Sequence, residues 1–204
     1  MLTLYANRES GHSYKVALFL ALTATPYRYV AVDVQQPRDG RPDEFKAVSK
    51  FGEVPVLVTE EGEALCQSNA ILAHLAWSTG KFGGRDVSAW RRIHEWLSWE
   101  TNRIGFSLPN LRYERRFATD PDPSVGAWLV ARLRADLDRL EAELGEGHSF
   151  LIGHELTIAD LACCAYLYWS DQAGVGLSPW PAVERWLERI ASTPGWRAPY
   201  DLMA

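Results

Sequence analysis

The stretch that decides the fold is Leu2 to Leu22, LTLYANRESGHSYKVALFLAL. Residues 2–5, LTLY, are apolar and β-prone and read as a strand. Residues 11–23 read as an apolar helix, with Pro26 following its end. Between them stand Arg8, Glu9, Ser10, Gly11, His12 and Ser13. Two serines at a strand-to-helix joint have two uses. Either can be an N-cap, its oxygen accepting from a first-turn N–H. The same hydroxyl and N–H groups also make a helix start into an anion site.

Working outward, YRYVAVDV (27–34) alternates and is rich in Val and Tyr, hence a second strand, and 41–49 holds one or two helical turns. VPVLVTEEGEALCQ reads as a hairpin, Pro55 to Thr59 and Ala64 to Cys66, turning at Glu61-Gly62. SNAILAHLAWSTG (68–80) is a helix that opens on Ser68 and ends at Gly80. The order βαβαββα places one right-handed crossover between two parallel strands, then an antiparallel hairpin. A second strand-to-helix joint, Gln67-Ser68, therefore lies near the first, at the sheet edge where open α/β sheets bind ligands. Ser68 there is either a cap or a carboxylate holder. Val54-Pro55 has two readings as well. One is an ordinary trans proline at the first residue of an edge strand. The other is a cis bond that turns the Val54 backbone outward, leaving its N–H and C=O for a peptide ligand.

The predicted domains are 1–80, a linker 81–87 (KFGGRDV) and an all-helical 88–204. Residues 88–116 carry Trp90, Ile93, Leu97, Ile104 and Leu108 at near-helical spacing, with Pro109 expected to kink or break the helix. Leu129, Leu133, Leu137, Leu140 and Leu144 paint one apolar stripe on a second long helix. Residues 156–169 are almost wholly apolar and belong in the middle of a bundle, and 181–192 form a further helix. In LTIADL, Thr157 and Asp160 have the spacing of a capping box.

The net charge is −5 and no dense basic run occurs, which excludes nucleic acid as the main partner. The one basic block, Arg112 to Arg116, reads as a solvated helix face. Cys66, Cys163 and Cys164 have no metal-ligand spacing, and their use as small hydrophobes fits a reducing, cytoplasmic compartment. The apolar run from Val16 to Leu22 is short for a leader and follows a strand pattern with Glu9, so it is not read as one. No run approaches the about 18 apolar residues of a membrane span.

LYANRESGHSYKVALFLAL, FGEVPVL, QSNAILAHLA, the short linker, the helical half and LTIADL, in this order, resemble the cytosolic-type glutathione S-transferases over essentially the whole chain. The resemblance implies a thioredoxin-like N-terminal domain, an all-α C-terminal domain, a homodimer, and glutathione as co-substrate with no metal. It is similar to the bacterial serine-type members (theta-, zeta- and nu-like). By that resemblance Ser10 is the serine that hydrogen-bonds the glutathione sulfur. Val54 and Pro55 pair with the cysteinyl backbone, Gln67 and Ser68 hold the γ-glutamyl group, and Gln36 reaches the glycine end.

Three departures stand out. Tyr5 belongs to the first strand and is not the catalytic tyrosine of the mammalian alpha, mu and pi classes. Beta-class members carry a cysteine close to where His12 stands, and its absence removes a mixed disulfide as mechanism; His12 is a surface residue or a donor behind Ser10. Glu53 stands where a basic or amide residue is frequent, and an acid there opposes the carboxylates of glutathione. The second substrate, a small hydrophobic or halogenated electrophile, is expected between the N-terminal domain and helix 88–116. His12, Trp99, Asn102, Arg103, Phe106 and Trp169 would line it, the competing reading being helix packing. The expected activity is glutathione transfer for detoxification. The rivals are a glutathione-dependent disulfide reductase or peroxidase and a non-catalytic interaction module.

Overall fold

Strands β1 (Leu2–Ala6) and β2 (Tyr27–Ala31) are parallel neighbours joined through helix α1 (Gly11–Leu22), with Leu2 beside Tyr27 and Ala6 beside Ala31. This computed structural model describes all residues 1–204. After β2 come a 3-10 turn at Arg38–Gly40, α2 (Asp43–Val48), β3 (Val56–Val58), β4 (Ala64–Cys66) and α3 (Ser68–Thr79). The sheet order is β2-β1-β3-β4, with β3 antiparallel to both β1 and β4. The βαβαββα order is thus observed. The hairpin turns where expected: Gly62, at φ +86°, donates to the Thr59 carbonyl, a left-handed conformation that glycine adopts without a Cβ penalty.

Side chains alternate across the sheet, so its two faces have separate cores. Tyr5 and Val56 pack with Val32 and with Phe45 of α2. Leu4 and Leu57, one position away, turn to the other face and are fully buried. Tyr5 is a packing residue: its ring lies 5.9 Å from that of Phe45. Helix α1 is buried nearly all round, Lys15 included. Burial of apolar area at about 25 cal/mol per Å² is what holds such a helix in place.

Residues 1–81 and 194–204 form one compact unit and 82–193 another. The last segment, with the short helix α9 (Pro199–Leu202), groups with the sheet, whereas the sequence places it in the helical half. Tyr14 Oη donates to the Arg197 carbonyl at 2.8 Å, and Met203 is buried, which accounts for the grouping.

The second unit contains α4 (Val87–Asn102), α5 (Ile104–Arg116), α6 (Pro123–Gly145), α7 (Ile158–Cys164), a 3-10 turn at Ala165–Trp169, and α8 (Pro181–Ala191). The leucine stripe of α6 is buried throughout. The break expected at Pro109 falls instead at Arg103 (φ −114°, ψ −104°), and Pro109 lies inside α5. The cause is tertiary. Arg103 Nε donates to Asp136 Oδ1 at 2.7 Å and Ser107 Oγ to Asp136 Oδ2 at 3.1 Å, so a buried carboxylate of α6 holds the joint residue and the start of α5. Burial pushes the Asp136 carboxyl up from its ordinary value, against the pull of Arg103 and Ser107.

The basic block is also not uniformly solvated. Arg112 is buried, its guanidinium 4.9 Å from the Trp169 ring and 5.3 Å from that of Phe117, with Nε donating to Gln172 at 2.8 Å. The stack desolvates the cation on aromatic faces while the fork keeps an acceptor. Arg115 and Arg116 remain exposed.

Thr157 and Asp160 form the expected capping box at the start of α7. Asp160, fully buried, accepts from the N–H of Leu151 (2.8 Å) and Thr157 (2.9 Å), from Thr157 Oγ1 (3.0 Å) and from Trp186 Nε1 (3.0 Å). No helix is long and apolar enough to cross a membrane.

Candidate glutathione-type site

Four pieces of chain meet at one end of the sheet, and the strand registers say which. Tyr5 lies opposite Val56, so the chain leaving β1 faces the chain entering β3. Val56 lies opposite Cys66, so Gln67 and Ser68 leave β4 beside Pro55 and Val54. Ala6 lies beside Ala31, so the loop carrying Gln36 departs from that same end.

Ser10 is the N-cap of α1, with φ −100° and ψ 114°, and its Oγ accepts from the Ser13 N–H at 3.2 Å. Capping and binding are not exclusive here. The bond uses one lone pair, and the hydroxyl proton stays available for donation. Ser13 is different: it is fully buried, and its Oγ accepts from the Asn7 N–H at 3.2 Å. Asn7 completes the frame. Its Nδ2 donates to the Val32 carbonyl at 2.7 Å and its Oδ1 accepts from the Glu9 N–H at 2.8 Å. The Ser10 N–H donates to the Asn7 carbonyl at 3.0 Å. Sequence reasoning gave Asn7 no role; its signal was a turn residue directly after a strand. His12 is half-buried on the first turn of α1.

The Val54–Pro55 bond is cis, the second of the two readings. The Val54 N–H and C=O enter neither the strand ladder nor any turn bond. Gln67, at φ 70°, is the N-cap of α3 and gives no side-chain cap. Ser68 is the first residue inside α3, not its cap, and is about nine-tenths buried.

Two contacts tie these pieces together. Gln67 Nε2 donates to Glu53 Oε2 at 3.0 Å. Lys15 Nζ, inside the apolar run of α1, donates to Asn69 Oδ1 at 3.1 Å and links α1 to α3. Lys15 was missed as well, although a lysine in an otherwise apolar helix face is itself a signal that a polar partner waits there. Arg41 staples the Gln36 loop. Its guanidinium donates to the carbonyls of Gln36 (3.2 Å) and Val34 (2.9 Å) and to that of Gly52. Gln36 itself is exposed.

The residues named for a second substrate do not form one cluster. Asn102, Arg103 and Phe106 gather on α6. Arg103 binds Asp136, the Asn102 carbonyl accepts from Arg132, and the Arg132 guanidinium lies 5.6 Å from the Phe106 ring. Trp99 packs edge-on to Trp96 at 5.2 Å. Trp169 is buried, with the guanidinium of Arg112 of α5 lying 4.9 Å from its ring. No group of three or more His, Cys, Asp or Glu side chains is placed to hold a metal ion.

Comparison with known proteins agrees with this fold. Residues 1–77 match the family model of the glutathione S-transferase N-terminal domain, and residues 112–189 match that of the C-terminal domain. The chain is 31% identical over 204 residues to the disulfide-bond oxidoreductase YfcG of Escherichia coli K12, covering 95% of this chain and 92% of that protein. It superposes with a TM-score of 0.89 on a possible glutathione S-transferase from Rhodopseudomonas palustris, at 32% identity and 98% coverage of both chains. A glutathione S-transferase from Xanthobacter autotrophicus gives a TM-score of 0.88 at 32% identity, with both chains fully covered. A mixed four-stranded sheet followed by a helical bundle, two matched domain models and these full-length likenesses lead to one assignment: the chain belongs to the glutathione S-transferase family.

Proposed function

We propose that the protein is a serine-type glutathione transferase that activates the thiol of glutathione for attack on a small hydrophobic or halogenated electrophile. The observation that carries this reading is the Ser10 hydroxyl, fixed as an acceptor by the Ser13 N–H and still able to donate. The Val54 backbone pairs with the cysteinyl unit. Ser68 and the start of α3 hold the γ-glutamyl carboxylate, and Gln67 turns its carbonyl toward the γ-glutamyl ammonium. Gln36 lies on the side of the glycine end.

A free thiol ionises near pH 8.5 or so, and the thiolate is the nucleophile. Lowering that value by about two units requires about 2.7 kcal/mol of preference for the anion. One hydroxyl bond to a charged acceptor contributes about 1.5–3 kcal/mol. The start of α1 adds about 0.3–1 kcal/mol. Ser10 and its helix are therefore sufficient. In the reaction the sulfur lone pair forms the new C–S bond, the leaving group departs with its bonding electrons, and the thiol proton passes to water.

A second reading is favoured by the likeness to YfcG, which is named a disulfide-bond oxidoreductase. The same thiolate would attack a disulfide sulfur, and a second glutathione would release oxidised glutathione and leave both sulfurs of the substrate as thiols. The test is ultraviolet difference titration of bound glutathione, followed by parallel assays with a halogenated arene and a small disulfide. A bound thiol that ionises well below its value in buffer supports the site. An unshifted thiol overturns it, and the two assays then decide between transfer and reduction.

A further inference from the structure

We infer that Tyr200, in the C-terminal segment, is a positioning residue for Ser10, so that the tail helps set the geometry of the sulfur site. This rests on the serine reading given above.

The tail is anchored along α1 at several points. Gly195, at φ +90°, lies so close to the end of α1 that a Cβ there would sit 2.8 Å from the Ala21 carbonyl oxygen. Tyr14, fully buried in α1, donates to the Arg197 carbonyl at 2.8 Å, and Met203 is buried. These contacts deliver Tyr200 to the other end of the helix. There its Oη donates to Glu9 Oε2 at 2.8 Å, and the Arg8 guanidinium carbon lies 5.1 Å from the centre of its ring. Arg8 and Glu9 are the two residues ahead of Ser10.

The serine loop is thus held from two sides. From inside, Asn7 and Ser13 hold its backbone. From outside, one phenol holds the side chains of Arg8 and Glu9 at once. A hydrogen bond from Ser10 to sulfur tolerates little displacement, since a catalytic group must stay within about 0.5 Å of its productive position. The hydroxyl of Tyr200 to the Glu9 carboxylate is a charge-assisted bond, short and directional, suited to that task.

Tyr200→Phe keeps the ring and its contact with Arg8 and removes only the hydroxyl. The expected result is a melting temperature close to wild type, an unchanged KM for glutathione, a kcat lower by about ten-fold, and a bound thiol that ionises at higher pH. Glu9→Ala should reproduce those effects, the double variant should be no worse than either single one, and Glu9→Gln, which keeps an acceptor, should recover part of the loss. A Tyr200→Phe protein with wild-type kcat and thiol ionisation overturns the inference, as does one that only melts earlier. Ser10→Ala is measured alongside. If it moves the ionisation of the bound thiol to higher pH and Tyr200→Phe does not, the tail's role fails alone. If Ser10→Ala leaves the thiol unchanged, the serine reading fails and this inference with it.

Discussion

Gln67 Nε2 donates to Glu53 Oε2 at 3.0 Å, joining the residue before the Val54-Pro55 turn to the residue that opens α3. The acid that sequence reasoning set against the carboxylates of glutathione therefore has a local partner. By taking the amide nitrogen it fixes the amide so that, in the proposed site, the Gln67 carbonyl would accept from the ligand ammonium. Glu53→Ala is expected to raise the KM for glutathione about five-fold, the effect of one ordinary hydrogen bond, with kcat unchanged. Steady-state kinetics at fixed electrophile measure this. A KM that falls would show that repulsion outweighs the orienting contact.

Ser10 and Ser13 sit three residues apart and are expected to fail in different ways. Ser10→Ala should lower kcat by about ten- to a hundred-fold through loss of the sulfur contact, and stability by about 1 kcal/mol through loss of the cap. Ser13→Ala leaves the Asn7 N–H without its acceptor in a buried place, so about 1–3 kcal/mol of stability should go. Activity per folded molecule should hold. Chemical denaturation beside single-turnover kinetics separates the two, and equal kcat losses would refute the division.

Ser68→Ala should act on binding. In the proposed site its contact with the γ-glutamyl carboxylate would be the same before and during reaction, so the expected change is a KM for glutathione raised about ten-fold with kcat kept. A variant whose kcat drops while KM holds would move Ser68 into the chemistry.

What was legible in the sequence was what depends on near neighbours. The joint at Ser10 showed itself because strand spacing gives way to helix spacing across one short polar segment. The capping box showed itself because Thr157 and Asp160 are three residues apart. What was hidden depends on distant partners. The helix breaks at Arg103 because Asp136, thirty-three positions away, holds it there. Arg112 is buried because Trp169 and Phe117 flank it. The link between Gln67 and Glu53, and the return of the tail to Glu9, both join residues that no periodicity connects.

Tyr27 and Tyr29 on β2 give a pH test of the sheet. Burial raises both phenols above their ordinary value. For Tyr27 the Arg197 charge opposes this; for Tyr29 the neighbouring Tyr27 adds to it and Arg8 opposes it. In the unfolded chain each phenol would lose its proton near pH 10. Their contribution to stability is therefore complete below about pH 10 and is lost as pH rises through the raised folded values. Tyrosinate absorbance should include a late phase to which Tyr27 and Tyr29 contribute. Tyr27→Phe with Tyr29→Phe should shrink that late phase and lessen the alkaline loss of stability. A late phase unchanged in the double variant would refute it.

Asp160 should be the most sensitive position of the helical unit. Its Oδ1 accepts from the Leu151 N–H and Trp186 Nε1, and its Oδ2 from the Thr157 N–H and hydroxyl. Asp160→Asn puts an NH₂ group against one of those pairs whichever way the amide turns. A buried donor then faces donors, at a cost of about 2–5 kcal/mol. Thr157→Ala removes the cap oxygen but leaves three of the four donors in place, at about 1 kcal/mol. The denaturant midpoint should therefore fall further for Asp160→Asn than for Thr157→Ala. The two sites share a network, so the double variant should cost less than the sum of the singles. Equal midpoints for the two single variants would mean that Asp160 serves only as half of a capping box. Its reach to Leu151 and Trp186 would then contribute nothing to holding α7 against α8.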